Sequence, residues 1–188
     1  MAGSPYSLPP GLPVPVDDGA CDHLPGGSVP PVRLMSTSGR RVDLVEVSVR
    51  PTVLFFYPSA TGKPDMPREW DLVPGARGCT AQNCAYRDSY GEFRGLGLQV
   101  YGISAQGPAE QKDFADRMSI RYELLSDSDF ELTEALRLPT FEFHGRQYIK
   151  RLTVVAEDRR ITHVFYPVFP PDRNAEVVLQ YLRGREHG

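Results

Sequence analysis

Hydrophobic and polar positions fall into blocks whose period changes along the chain. Thr52-Val-Leu-Phe-Phe-Tyr57 carries no charge over six positions and is stopped by Pro58. An uninterrupted apolar run of that length predicts a strand buried on both faces. Residues 98–104 predict a second buried strand, and residues 122–125 a shorter one. Between the strands the spacing becomes helical. From Cys79 onward, Tyr86, Tyr90 and Phe93 recur at helical intervals until Gly95 and Gly97. Residues 108–118 are amphipathic with Pro108 in the first turn, and residues 129–136 predict a short helix. Residues 151–156 and 160–166 read as two strands joined at Glu157-Asp158-Arg159. Asp172 is the expected N-cap of a closing helix through Leu182, with Val177, Val178, Tyr181 and Leu182 facing inward. Near the start, residues 32–35 and 41–45 predict a hairpin about Ser38-Gly39. Strands alternating with helices, then a hairpin and a last helix, define an α/β domain with a mixed central sheet.

Two stretches stand outside this pattern. Residues 1–31 hold eight prolines and five glycines, which sustain neither a helix nor a central strand. They predict an extended N-terminal arm lying over a domain of residues 32–188, or partly frayed from it. Residues 59–78 form a polar loop of about 20 residues, longer than the roughly 12–15 usual in a compact domain, and such loops are commonly functional. Trp70 lies within it. Packing of the loop is the plainer role for this side chain, and a wall of a substrate site the alternative.

Composition narrows the function. Among 188 residues, 40% are hydrophobic and 24% charged, enough apolar material for a buried core. The 21 basic and 24 acidic residues give a net charge of −3, which argues against non-specific binding to nucleic acid or to an anionic membrane. No apolar run approaches the roughly 20 residues that span a bilayer. The first 16 residues lack the basic and apolar regions of a secretory signal, so a soluble, cytoplasmic protein is expected.

The cysteines sharpen this. Cys21, Cys79 and Cys84 are too few and odd in number for a disulfide framework. Cys79 follows the glycine-containing turn Pro74-Gly75-Ala76-Arg77-Gly78 at a helix start, where unpaired N–H groups and the dipole favour a thiolate. Arg77 either adds positive potential there or is a solvated loop cation. In an intact helix, five residues separate the Cα atoms of Cys79 and Cys84 by about 8–9 Å, beyond the roughly 7 Å limit for a disulfide. A bond between them requires the first turns to unwind. The bland alternative is two ordinary buried cysteines acting as small apolar residues. The spacing does not match paired zinc-ligand motifs. His23, His144, His163 and His187 stand in no spacing relation to the cysteines. Cys21 reads as an inert thiol in the arm, with a second resolving thiol as the alternative.

Tyr57-Pro58, then Gly78-Cys79-Thr80-Ala81-Gln82-Asn83-Cys84 with Arg87-Asp88, resembles the peroxiredoxins of the alkyl hydroperoxide reductase C/thiol-specific antioxidant superfamily. The resemblance is nearest to the bacterioferritin-comigratory, or Q-type, branch. It extends through Val100-Tyr-Gly-Ile-Ser104, Leu124-Leu-Ser-Asp127, Lys150-Arg151-Leu-Thr-Val-Val155 and Ile161-Thr-His-Val-Phe165, covering about residues 50–166. It implies a thioredoxin-like fold and the reduction of hydrogen peroxide or alkyl hydroperoxides without a metal, flavin or haem. By the same resemblance Cys79 is the peroxidatic thiol, Cys84 the resolving thiol, and Arg151 the cation that stabilises thiolate and peroxide. A thioredoxin-like or other dithiol would be the reductant. Monomer and homodimer both remain open.

Two positions depart from the family. Its proline seven residues before the peroxidatic cysteine, and its threonine or serine three residues before, are here Leu72 and Ala76, and Pro58 lies 21 residues upstream. The missing hydroxyl keeps in view a thiol–disulfide oxidoreductase acting on protein disulfides, and an opening helix beside the long loop keeps in view a non-enzymatic redox sensor or binding module.

Overall fold

The computed structural model of the chain describes residues 7–63 and 66–186. The first six residues of the arm, positions 64 and 65 of the long loop, and His187 lie outside them. The arm leads into a hairpin of β1 (Arg33–Ser36) and β2 (Arg41–Asp43). A one-turn helix α1 (Leu44–Val47) follows, then β3 (Thr52–Phe56). After the long loop come α2 (Cys79–Gly95), β4 (Gln99–Ser104), α3 (Pro108–Met118), β5 (Glu123–Ser126) and α4 (Glu131–Leu136). The chain closes with β6 (Thr140–Phe143), β7 (Arg146–Ile149), β8 (Leu152–Glu157), β9 (Arg160–Phe165) and α5 (Asn174–Glu186).

Seven strands form one sheet in the order β2-β1-β5-β4-β3-β8-β9. The pairs β3–β4 and β4–β5 are parallel and the others antiparallel. Parallel neighbours need crossovers, and α2 and α3 supply them. Every residue of β3 is buried, because both sheet faces are covered. Leu54 and Phe56 pack with the arm residues Cys21, Leu24 and Val29 and with Leu132 of α4. Val53, Phe55 and Tyr57 pack under α2, α3 and α5. Alternation along a strand thus serves two cores at once. Gly102 in β4 leaves room for this arrangement, since a Cβ there would stand 2.8 Å from the Phe55 ring. The Phe55 ring stacks on Tyr86 of α2 at 4.1 Å, which seats the helix against the sheet.

Several expectations need correction. The predicted second strand, residues 41–45, stops at Asp43, whose carboxylate accepts from the Val45 and Glu46 N–H groups and starts α1 instead. Asp172 is not a helix cap; it sits in a 3₁₀ turn, Pro171–Arg173, and α5 begins at Asn174. Within α5, Val177 is 46% exposed rather than inward-facing, while Val178, Leu179 and Leu182 are buried. Phe169, just before the Pro170-Pro171 turn into α5, is 38% exposed.

The arm is packed along residues 19–31: Leu24 and Val29 are buried, and Ser28 bridges to Arg160 at the outer edge of β9. Cys21 is buried there as well, and burial together with nearby Asp18 pushes its thiol up to about 12.

The β6–β7 hairpin is absent from the sequence expectations. It turns at His144 and Gly145, with φ of 48° and 74°, and its aromatic residues serve the long loop. Trp70, in a 3₁₀ turn (Arg68–Leu72), is buried against Phe141, Phe143 and Tyr148 with ring centroids 5.0–5.7 Å apart. Trp70 is therefore a packing residue, pinning the loop to a hairpin two residues before Arg151.

Candidate active site

Helix α2 starts at Cys79 because Gly78 takes φ +109°, a left-handed backbone that reverses the loop into the helix. The long loop leaves the site at Ser59 and comes back at Cys79. Across that 20-residue excursion the Ser59 N–H lies 3.5 Å from the Cys79 Sγ. The side chain of Arg151, from the residue just before β8, reaches the same sulfur with Nη2 at 3.2 Å. As a thiol, the sulfur sits 3.5 Å from the Ala76 carbonyl. As a thiolate, it faces a guanidinium and a backbone donor, both oriented to stabilise charge. Cys79 is 4% exposed and Arg151 3%.

The guanidinium is held by neutral acceptors. Its Nη2 donates to the carbonyls of Ala76 (3.0 Å), Gly75 (3.2 Å) and Arg77 (3.3 Å), and Nε to Gly75 (3.3 Å). Its Nη1 donates to Gln82 Oε1. Among the described residues no carboxylate forms an ion pair with Arg151, whereas eleven other pairs occur. A buried cation is costly unless an anion accompanies it. The sulfur of Cys79 is positioned to be that anion.

The predicted residues divide clearly. Cys79 and Arg151 are brought together. Cys84 is buried further along the same unbroken helix, and burial raises its thiol. All three cysteines are free, and the helical separation of about 8–9 Å keeps Cys84 from bonding Cys79 in this conformation. Arg77 contributes its carbonyl, while its guanidinium pairs with Asp71 at 3.1 Å. Ala76 is fully buried in the Trp70 cluster, and Leu72 is 73% exposed. With alanine at position 76, a backbone donor, the Ser59 N–H, lies near the sulfur. A cavity of about 450 Å³ adjoins Arg151, walled by Val14 and Val16 of the arm, Val73, Phe141 and Val168.

Sequence reasoning assigned no role to Gln82, Asn174, Thr153 or Ser59. Gln82 carries a local signal, since three residues along a helix share a face with Cys79. The others meet the site only through the fold. Among the described residues no cluster of three metal-ligating side chains occurs, and no helix is long and apolar enough to cross a membrane.

A thiol at a helix start under a buried guanidinium, carried on a mixed sheet with parallel crossovers, defines a thioredoxin-fold thiol enzyme. The Redoxin family model matches residues 24–179, and the chain belongs to that family. The chain is 30% identical to a chloroplastic peroxiredoxin Q of Gentiana triflora, over 97% of this chain and 78% of that one. It is 29% identical to a chloroplastic peroxiredoxin Q of Sedum lineare, over 84% and 77%. The structure of peroxidoxin BcpB from Mycobacterium tuberculosis superposes with a TM-score of 0.71 at 29% identity, covering 86% of this chain and 98% of that one. A peroxiredoxin Q from Xylella fastidiosa, at 22% identity and TM-score 0.71, shares the fold over 87% and 98%. Within the family the chain is a Q-type peroxiredoxin, a thiol-dependent peroxidase. The disulfide-oxidoreductase and sensor readings are not favoured.

Proposed function

We propose that Cys79 is the peroxidatic nucleophile, Arg151 its electrostatic partner and Cys84 the resolving thiol. The observation that carries this reading is the buried guanidinium 3.2 Å from Sγ with neutral partners otherwise. The thiolate attacks the terminal oxygen of ROOH; the O–O bond breaks, sulfur takes the terminal OH as sulfenic acid, and RO⁻ leaves and takes up a proton from solvent to become ROH. Arg151 stabilises negative charge as it moves from sulfur to the leaving oxygen. The first turn of α2 then opens, Cys84 attacks the sulfenic sulfur, and a disulfide and water result. A dithiol, of the thioredoxin type or another, restores both thiols by exchange.

Organic hydroperoxides alongside hydrogen peroxide are the substrate class assigned, supported by the valine and phenylalanine side chains in the wall of the cavity beside Arg151. Asp18 and Lys150 also line that cavity, and Cys79 does not. Each step is assigned to a single chain, which a homodimer would accommodate unchanged.

Purified protein with a dithiol reductant is expected to consume peroxide. Cys79→Ser abolishes turnover, and Cys84→Ser leaves a trappable sulfenic acid on Cys79. Undiminished turnover by Cys79→Ser would refute the assignment.

A further inference from the structure

We infer that Asn174, the first residue of α5, is a positioning residue for Arg151, acting through the side-chain amide of Gln82. The inference rests on the role given to Arg151 above. It follows from a chain of hydrogen bonds whose polarity is fixed at one end. A guanidinium only donates. The Gln82 atom that meets Arg151 Nη1 must therefore be the carbonyl oxygen Oε1. That sets Gln82 Nε2 toward α5, where it donates to Asn174 Oδ1 at 3.0 Å. Oδ1 also accepts from the Tyr86 hydroxyl at 2.6 Å and the Thr153 hydroxyl at 2.8 Å. Turning the Asn174 amide over would point its NH₂ at the Gln82 NH₂, and turning Gln82 as well would set NH₂ against the guanidinium. Only this orientation matches donor to acceptor along the path from Arg151 through Gln82 to Asn174.

Gln82 and Tyr86 lie one turn apart on α2, Thr153 lies on β8 and Asn174 begins α5, and all four are buried. At this buried position, a missing acceptor at Asn174 takes away the partner of Gln82 Nε2. Its amide is then free to rotate, and Arg151 loses the acceptor that fixes Nη1 while Nη2 addresses the sulfur. The Tyr86 and Thr153 bonds end on the same oxygen but do not lead to Arg151. Their loss weakens packing of α2 and β8 against α5 without releasing Gln82.

The test separates these two consequences. Rates of Cys79 oxidation by hydrogen peroxide, the pH profile of Cys79 alkylation by iodoacetamide, and thermal midpoints would be measured for wild type, Asn174→Ala, Asn174→Asp, Gln82→Met and Thr153→Val. Asn174→Ala and Gln82→Met are expected to slow oxidation about tenfold, the effect of losing one hydrogen bond to a charged group, and to move alkylation to higher pH. Asn174→Asp, which keeps an acceptor, recovers most of both. Thr153→Val lowers the thermal midpoint and leaves the alkylation profile in place. If Asn174→Ala lowers only the midpoint, or Gln82→Met leaves rate and profile unchanged, Asn174 is structural and the inference fails. Because alkylation of Cys79 is read without turnover, this failure is distinct from a failure of the peroxidase assignment.

Discussion

Gly78 stands where the long loop turns into α2, and replacing it by alanine strains that turn in two ways. Its φ of +109° is a conformation that L side chains rarely adopt, and left-handed backbone costs a non-glycine residue about 1–2 kcal/mol. The added Cβ would lie 2.5 Å from Pro171 Cγ and 2.8 Å from Leu8 Cδ2. Forcing a methyl group into filled space costs about 1–3 kcal/mol. Together the intact first turn loses about 2–5 kcal/mol. Unwinding residues 78–80 relieves most of that strain, so the opened form gains relative to the closed one, by about 30-fold at the lower figure. Two steps should respond in opposite directions. Oxidation of Cys79, which needs the sulfur under Arg151, slows; disulfide formation with Cys84, which needs the turn open, accelerates. Stopped-flow fluorescence of Trp70, the chain's one tryptophan, follows both steps, and quenched-flow mass analysis assigns them. Unchanged rates for both steps in Gly78→Ala would show that the loop accommodates a side chain there, and that helix opening is not limited by this turn.

Two further outcomes test the frame around the site. Trp70→Ala removes a buried indole from the Phe141, Phe143 and Tyr148 cluster and should lower stability by about 3–5 kcal/mol in urea unfolding. Peroxide reactivity should fall with it, since the loop supplies the carbonyls that hold Arg151; Trp70→Phe should retain more of both. Glu123 is held down to about 2 by Arg40 and by the Ser36 and Ser38 hydroxyls. A carboxylate lowered on folding contributes stability that is complete above its unfolded value of 4.5 and lost as pH falls toward 2. Wild type should thus lose more stability than Glu123→Gln between pH 5 and pH 2, in thermal melts at matched ionic strength; parallel curves would remove Glu123 from the acid response.

Much of the sheet is legible in the chain because its strongest signals are local. The run from Thr52 to Tyr57 has no polar face to hide, and Pro108 marks the start of α3 by chemistry that needs no partner. Cys79 is legible for the same reason, as a glycine turn and a helix start are adjacent in sequence. Hairpin β6–β7 is not, because Glu142 separates its two phenylalanines and His144 fills a positive-φ position where glycine or asparagine would be the usual sign. Its apolar face makes sense only once Trp70 arrives from about 70 residues upstream. Asn174 is beyond local reading altogether: its three donors come from Gln82, Tyr86 and Thr153. Val177 shows the converse error, where an apolar residue at helical spacing suggested burial but the buried face of α5 runs through Val178, Leu179 and Leu182 instead.

The acceptors that the long loop offers to Arg151 are all main-chain oxygens, those of Gly75, Ala76 and Arg77. Peptide carbonyls are present whatever the side chain, so evolution can rewrite this segment, lengthen it and discard a hydroxyl without dismantling the cradle. Substitution libraries at the exposed positions of this segment, such as Leu72, should show broad tolerance, whereas buried Ala76 and positive-φ Gly75, where a side chain would disturb the backbone path, should tolerate little. What the cradle asks of this loop is a path for the chain, and the side chains along it answer to the Trp70 cluster instead.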